Sequence, residues 1–360
     1  MTASVIVIGG GYGGTATAKA LDDVADVVLA EPRDAFVHNV AALRALVDPA
    51  WAERMFLPYD RLLARGRIVR DRVVRADRTG VTLGSGERLA ADFIVLATGS
   101  GYPFPAKTDL DDSGLSKARF RAAGTELAAA GRVLLLGAGP VGLELAGEIK
   151  AAWPAKTVTI VDPADHILTG GYPGELRDEL RRQLDQMGVG LRLGTSLRDL
   201  PPTLPGQAGA FAVATDDGRK ITADIWYRCF GVVPASGFLD GELAPARQPG
   251  GHVAVTPQLR LPGQERVFAV GDLTAIPEAK RAAAATQHAE IVAANIRALI
   301  AGQGELRRYQ PAPPSIVLPL GPDGGAGYRA DVGLLDGAAT ARIKGQHMMV
   351  DRFAELLGAR

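Results

Sequence analysis

The chain has 360 residues, 47% of them hydrophobic, which is enough to bury the cores of two or three domains and excludes a disordered tail or a small stapled scaffold. Lys+Arg and Asp+Glu both number 40, so no global field attracts a polyanion and nucleic acid is not expected as a partner. A single cysteine, Cys229, excludes an intramolecular disulfide and any C-x-x-C motif, and five dispersed histidines offer no ligand spacing, so no metal site is expected.

The first apolar run, Val-Ile-Val-Ile at residues 5–8, is short, follows no basic segment and enters glycines directly; it reads as a strand and not as a signal peptide. Residues 9–14 follow as Gly-Gly-Gly-Tyr-Gly-Gly, in which Gly9, Gly11 and Gly14 match G-x-G-x-x-G, and a helix is predicted over residues 13–22. Glycine is needed there because the backbone turns sharply, a diphosphate must approach without a Cβ in its way, and the helix must pack closely on the strand. The helix amino terminus then offers unpaired N–H groups to phosphate. A strand at 27–30 leads to Glu31, where a carboxylate can accept both ribose hydroxyls.

After a strand at 93–97 the unit recurs. A strand at 133–136 enters Gly137-Ala138-Gly139-Pro140-Val141-Gly142, a helix over 141–152 stops at Trp153-Pro154, and a strand at 158–161 leads to Asp162. One such turn is a weak signal. Two, each in strand-turn-helix context with its own acid, point to two dinucleotides, one resident and one exchanging, and hydride transfer between them is the natural chemistry. Residues 201–209, rich in Pro and Gly, form a surface loop. A strand at 267–270 and a long helix over about 282–301 precede a proline cluster at 311–314. Beyond it lies a small domain with a turn at Asp323-Gly324-Gly325 and a terminal helix. The β-branched runs alternating with Ala- and Leu-rich stretches make this an α/β protein with largely parallel sheets. No window approaches the ~18 uninterrupted apolar residues of a membrane span; a cytoplasmic location is expected, with any membrane contact peripheral.

The order of residues 9–14, Ala97-Thr98-Gly99, residues 137–142 and the Val-Phe-Ala-Val-Gly-Asp run at 267–272 resembles the pyridine-nucleotide flavin oxidoreductases. Within them, residues 36–44 (Phe-Val-His-Asn-Val-Ala-Ala-Leu-Arg) and 102–107 (Tyr-Pro-Phe-Pro-Ala-Lys) are similar to the mitochondrion-associated apoptosis-inducing-factor homologues. That family includes the ferroptosis-suppressor NAD(P)H:quinone oxidoreductase and has type II NADH dehydrogenases as cousins. The resemblance implies two Rossmann-like domains. An FAD-binding domain (1–115 and 247–305) would be split around an NAD-binding domain (116–246), with a small α+β carboxy-terminal domain (306–360). It also implies FAD as resident cofactor, NADH as co-substrate and a small-molecule acceptor, a quinone above others; a homodimer is compatible with it.

Carried over by position, Gly9, Gly10, Gly11, Tyr12, Gly13, Gly14 and Glu31 would hold the ADP half of FAD. Arg44 would reach its diphosphate, Val73 would offer backbone to the adenine, and Thr98 and Gly99 would line the cofactor. Asp272 would meet the ribityl region through a hydroxyl, and the helix carrying Gln287 and His288 would aim its amino terminus at the flavin pyrimidine. Gly137, Gly139, Gly142, Asp162 and Gly231 would hold NADH. Lys107 and Glu144 are expected as a pair near the flavin N5, where a lysine helps hydride acceptance and the carboxylate keeps it charged. The alternatives are an interdomain salt bridge for that pair and a structural histidine at 288. Where such proteins read Thr-Gly, this chain has Cys229-Phe230-Gly231; Cys229 reads as a buried apolar residue, and with no second cysteine a dithiol mechanism is excluded. A reductase of a protein carrier, a pathway-tailoring flavoenzyme and an NADH-responsive redox sensor are the rival functions. Met349, Phe353, Leu356 and Leu357 lie at helical spacing near Arg342, Lys344 and Arg352. This stripe either covers the protein body or lines the entry of a hydrophobic quinone and rests on an anionic membrane.

Overall fold

The computed structural model describes residues 2–359. β1 (Ser4–Ile8) ends in four consecutive buried residues and is followed by α1 (Tyr12–Leu21) and β2 (Asp26–Ala30). β3 (Arg67–Val69) and β4 (Phe93–Leu96) join the same sheet. α2 (Ser113–Ala129) leads into a second unit of β5 (Arg132–Leu136), α3 (Pro140–Ala152) and β6 (Thr157–Asp162). α4 (Gly174–Gln186), β7 (Val189–Leu193) and β8 (Ile225–Arg228) complete its sheet. β9 (Val267–Ala269) returns to the first sheet, and α5 (Ala282–Ile300) packs along α1.

The first sheet runs β9-β4-β1-β2-β3 and the second β7-β6-β5-β8, with every pair parallel. Each glycine turn therefore stands at the carboxyl end of an interior strand, where open parallel sheets hold their ligands. An antiparallel ribbon of Ser100–Gly101 against Val233–Pro234 links the two units. α2 was not expected from periodicity because it buries only Ser116, Phe120 and Leu127, a narrow stripe on an otherwise polar helix.

The carboxy-terminal segment forms an antiparallel sheet of β10 (Ile316–Pro319), β11 (Gly325–Arg329) and β12 (Gly333–Leu335). A Cβ on Gly147 of α3 would lie 2.4 Å from the Leu320 Cα, so only glycine allows the helix to meet the loop after β10 this closely. The final helix, α6, spans Val350–Leu356. Here the expected stripe is corrected. Met349 sits outside the helix in a left-handed conformation at φ 59°, which breaks the continuous helical face. Met348, Phe353 and Leu357 are buried, and Phe353 packs edge-on to Tyr12 at 4.9 Å and stacked on Phe36 at 6.0 Å. The apolar side of the stripe covers the first unit. No helix among the described residues is long and apolar enough to cross a membrane.

Candidate functional site

The two turns can be tested glycine by glycine. Gly9 and Gly137 have φ +100° and +115°, and a Cβ on them would lie 2.6 Å from the Ala97 carbonyl and 3.0 Å from the Cys229 carbonyl respectively. On Gly14 and Gly142 it would strike the carbonyls of Gly9 and Gly137 at 1.8 and 1.9 Å. These four glycines are required by the protein's own backbone. Gly11 and Gly139 are not: a Cβ on either meets nothing within 4 Å, and both have extended backbone that any residue adopts. The open space above them is the cradle that a diphosphate needs, at the amino terminus of α1 and of α3. Gly13 has a packing reason, since its Cβ would approach a Val270 methyl at 2.9 Å.

The acids repeat the same design. Glu31 is buried and accepts from the Gly10 amide at 2.5 Å and the Arg33 amide at 2.9 Å. Asp162 accepts from the Ala138 amide at 2.6 Å and the Ala164 amide at 2.8 Å. Each carboxylate is fixed beside its turn with lone pairs left for ribose hydroxyls. Tyr59 closes the first turn by donating to the Gly10 carbonyl at 2.8 Å. Val73 is buried at the head of an antiparallel strand, Val73–Asp77.

Tyr12 opens α1. Its hydroxyl accepts from the Val40 amide at 3.2 Å and lies 3.3 Å from His38 Nδ1. His38 is fully buried with Nε2 at 2.7 Å from the Met348 carbonyl. Burial pushes its pKa down to about 4, so the ring is neutral and Nε2–H donates to the carbonyl. The carboxy-terminal segment is thus tied to the wall of the first turn.

Lys107 and Glu144 do not pair with each other, contrary to expectation. Lys107 Nζ donates to the Ser100 carbonyl at 2.8 Å and to Ser100 Oγ at 2.9 Å, and stands 3.2 Å from Asp272. Ser100 Oγ donates to Asp272 at 2.7 Å. The three residues meet because the crossing ribbon and the 3-10 turn Gly271–Leu273 converge beside β4 and β9. Nothing in the sequence spacing singled out Ser100. Glu144 instead bonds Lys344 of the carboxy-terminal segment at 2.6 Å. Arg44, expected at a diphosphate, is buried in a two-point bond to Glu148 and donates to the Gly345 carbonyl at 2.9 Å. A guanidinium out of water needs an acid, and Glu148, one helical turn beyond Glu144, supplies it. Burial raises the pKa of both glutamates; Lys344 opposes this at Glu144, and Arg44 at Glu148.

Thr98 Oγ1 donates to the Ala235 carbonyl at 2.6 Å, and the Gly99 carbonyl accepts from the Ala235 amide at 3.0 Å, so this pair anchors the ribbon. Gly231, at φ +105°, lets the chain turn from β8 toward that ribbon. Gln287 and His288 take different faces of α5. Gln287 is exposed, whereas His288 is buried, accepts the Gly271 amide on Nδ1 at 3.0 Å, and has Nε2 2.8 Å from Glu278 in a close contact outside hydrogen-bond geometry. Tyr309 donates to the other Glu278 oxygen at 2.7 Å. His288 thereby holds the turn that carries Asp272; burial lowers its pKa, with Glu278 opposing. Cys229 is buried, and burial pushes its thiol up to about 12. No cluster of three or more His, Cys, Asp or Glu among the described residues is placed to hold a metal.

Comparison with known proteins agrees with this geometry. The family model for pyridine nucleotide-disulphide oxidoreductases matches residues 3–289. The chain is 31% identical over 330 residues to ferroptosis suppressor protein 1 of Taeniopygia guttata, covering 90% of this chain and 87% of that one. It is 28% identical to apoptosis-inducing factor homolog B of Dictyostelium discoideum, covering 98% and 96%. Among solved structures, the sulfide:quinone oxidoreductase of Aquifex aeolicus superposes with a TM-score of 0.77 at 18% identity, covering 99% of this chain and 91% of that one.

Proposed function

Because the chain belongs to the pyridine nucleotide-disulphide oxidoreductase family, FAD-dependent enzymes that react with NAD(P)H, we propose that it oxidises NADH and delivers the two electrons to a quinone. The overall reaction takes NADH, a proton and a quinone to NAD+ and a quinol. The observation that carries the reading is the matched pair of cradles, each with a glycine the protein itself does not require and an acid fixed beside it. When bound, FAD supplies the two-electron chemistry between a hydride donor and an acceptor.

The chain's own residues divide the remaining work. Glu31 and the first turn hold the resident dinucleotide. Asp162 accepts the adenosine ribose hydroxyls of NADH and opposes a 2′-phosphate by like charge. Lys107 is held in place by Ser100 and Asp272, and Asp272, already met by these donors, can receive a ribityl hydroxyl. Glu144, on the helix that follows the second turn, lies on the NADH side. The single cysteine is a buried thiol, so no dithiol relays electrons and the acceptor must come from outside. The fold neighbour from Aquifex aeolicus, by its name a quinone enzyme, supports a quinone.

The test is anaerobic mixing of the yellow protein with NADH, followed by steady-state NADH oxidation with a short-chain quinone, a ferredoxin and oxidised glutathione. Rapid flavin bleaching and a kcat/KM for the quinone well above the others is the expected result. Fast turnover with the ferredoxin alone would replace the quinone by a protein carrier, and a long-lived reduced flavin that no acceptor reoxidises would make the protein a sensor.

A further inference from the structure

The second sheet carries an unassigned cation at the edge where its ligand would lie. Arg228 ends β8 in register with Leu136, the residue that runs straight into Gly137. Adjacent strands lie ~4.8 Å apart, so the Arg228 backbone stands about one strand spacing from the second turn. It is on the side away from Asp162, because β5 separates β8 from β6.

Among the described residues, Arg228 has no carboxylate partner, and its Nε is buried without a hydrogen bond. A buried unpaired donor is costly, and natural proteins rarely leave one without a use. The guanidinium lies 5.7 Å from the centroid of the Phe230 ring, which fixes its position through a cation–π contact. Phe230 is 51% exposed, and Val232 and Val233 beyond it are exposed too, so an apolar lip borders the cation. Cation, ring and lip together suit a ligand with an anionic centre and a planar end.

A dinucleotide across this sheet has its adenosine ribose at Asp162 over β6 and its diphosphate at the turn after β5. Its other half must then run over β8. We propose that Arg228, held by Phe230, binds the nicotinamide-side phosphate of NADH and so sets where the nicotinamide half lies. This rests on the second turn being the NADH site. It also gives a use to Phe230, the aromatic that departs from the Thr-Gly pattern.

Titration calorimetry of the FAD-loaded protein with NAD+, ADP-ribose and AMP tests the assignment without turnover. Arg228→Gln should weaken NAD+ and ADP-ribose about tenfold or more, as loss of a charge-assisted contact does. AMP, whose phosphate belongs to the adenosine side, should bind unchanged. Arg228→Lys should restore part of the loss, and the surface change Phe230→Leu should give the same pattern at smaller size. Flavin absorbance and melting temperature report folding of each variant; should Arg228→Gln fail to fold, Phe230→Leu carries the test. Unchanged NAD+ affinity, or an equal loss for all three ligands, overturns the role of Arg228 while the NADH site stands. Wild-type protein that takes up neither NAD+ nor ADP-ribose removes the NADH site itself, and this inference with it.

Discussion

The first and second glycine turns share one backbone solution and differ in what surrounds it. Around the first, Glu31 and Tyr59 are buried, Tyr59 bonds the turn, and Tyr12 is walled by Phe36, His38 and Phe353. Around the second, Asp162 is half-buried, Pro140 and Pro163 are exposed, and Phe230, just beyond β8, stands out in solvent. A closed wall suits a cofactor that stays and an open edge suits one that must leave each turnover. The turn motif alone says that a dinucleotide binds; in the proposed reading the walls decide which one is resident.

The strongest way to break this arrangement is to cut a buried ion pair that joins the two units. Arg44 joins the helix Ala42–Val47 of the first unit to Glu148 on α3 and to the carboxy-terminal Gly345. Arg44→Met leaves Glu148 buried without its cation, and loss of one partner of such a pair costs about 3–5 kcal/mol. Denaturant unfolding should show that loss, and Arg44→Met with Glu148→Leu should recover most of it. A single variant within experimental error of wild type would mean that the pair does not hold the units together.

The comparison is sharpened at the two glycines that no protein atom requires. Gly11→Ala and Gly139→Ala introduce a methyl that meets no protein atom within 4 Å. Apoprotein stability should be equal or slightly higher, by roughly 0.4–1 kcal/mol from the stiffer unfolded chain. Gly11→Ala should lose FAD, about a hundredfold in affinity for ~2.7 kcal/mol of clash. Gly139→Ala should stay yellow and lose NADH to a similar degree. Spectral titration with FAD and NADH separates the two, and a Gly139→Ala protein that is colourless would show that the resident and exchanging sites have been assigned the wrong way round.

At the open site the acid should set selectivity. Asp162→Asn removes the like charge that meets a 2′-phosphate, and the kcat/KM ratio of NADH to NADPH should fall about tenfold, corresponding to ~1.4 kcal/mol. An unchanged ratio would place the discriminating group elsewhere.

Much of this was legible in the sequence because backbone demands leave a fixed residue pattern. Gly9, Gly14, Gly137 and Gly142 can be nothing else, and β1 and β5 are buried on both faces, so their apolar runs are continuous. What stayed hidden depends on side chains brought together from far along the chain. Lys107 meets Asp272 through the convergence of the ribbon and a turn, and Lys344 reaches Glu144 from the other end of the protein. No spacing encodes either contact. Glu148 was within reach of sequence reasoning, since it shares a helix face with Glu144 and a second buried acid demands a cation. The terminal stripe misled because helical spacing was continued through Met349, whose left-handed backbone ends it.

The smallest effect expected is a pH dependence confined to the closed site. His38 is buried, and its folded pKa of about 4 lies below the ordinary histidine value of 6.5. The folded state therefore resists a proton that the unfolded chain accepts. This penalty is absent above pH 7, where both states are neutral, and grows as pH falls from ~6.5 toward 4. Between pH 7 and 5.5 the linkage amounts to about 1 kcal/mol. Because neutral His38 bonds Met348 and stands against Tyr12, acid should loosen the carboxy-terminal wall over the first turn, so FAD should dissociate more readily as stability falls. His38→Gln keeps a donor for the Met348 carbonyl and does not titrate. It should cost some stability at pH 7 and flatten the slope between pH 7 and 5.5, while NADH affinity at the open turn keeps the pH dependence of wild type. If the slope survives in His38→Gln, the acid sensitivity belongs to other groups, and the wall over the first turn is not held by the neutral ring.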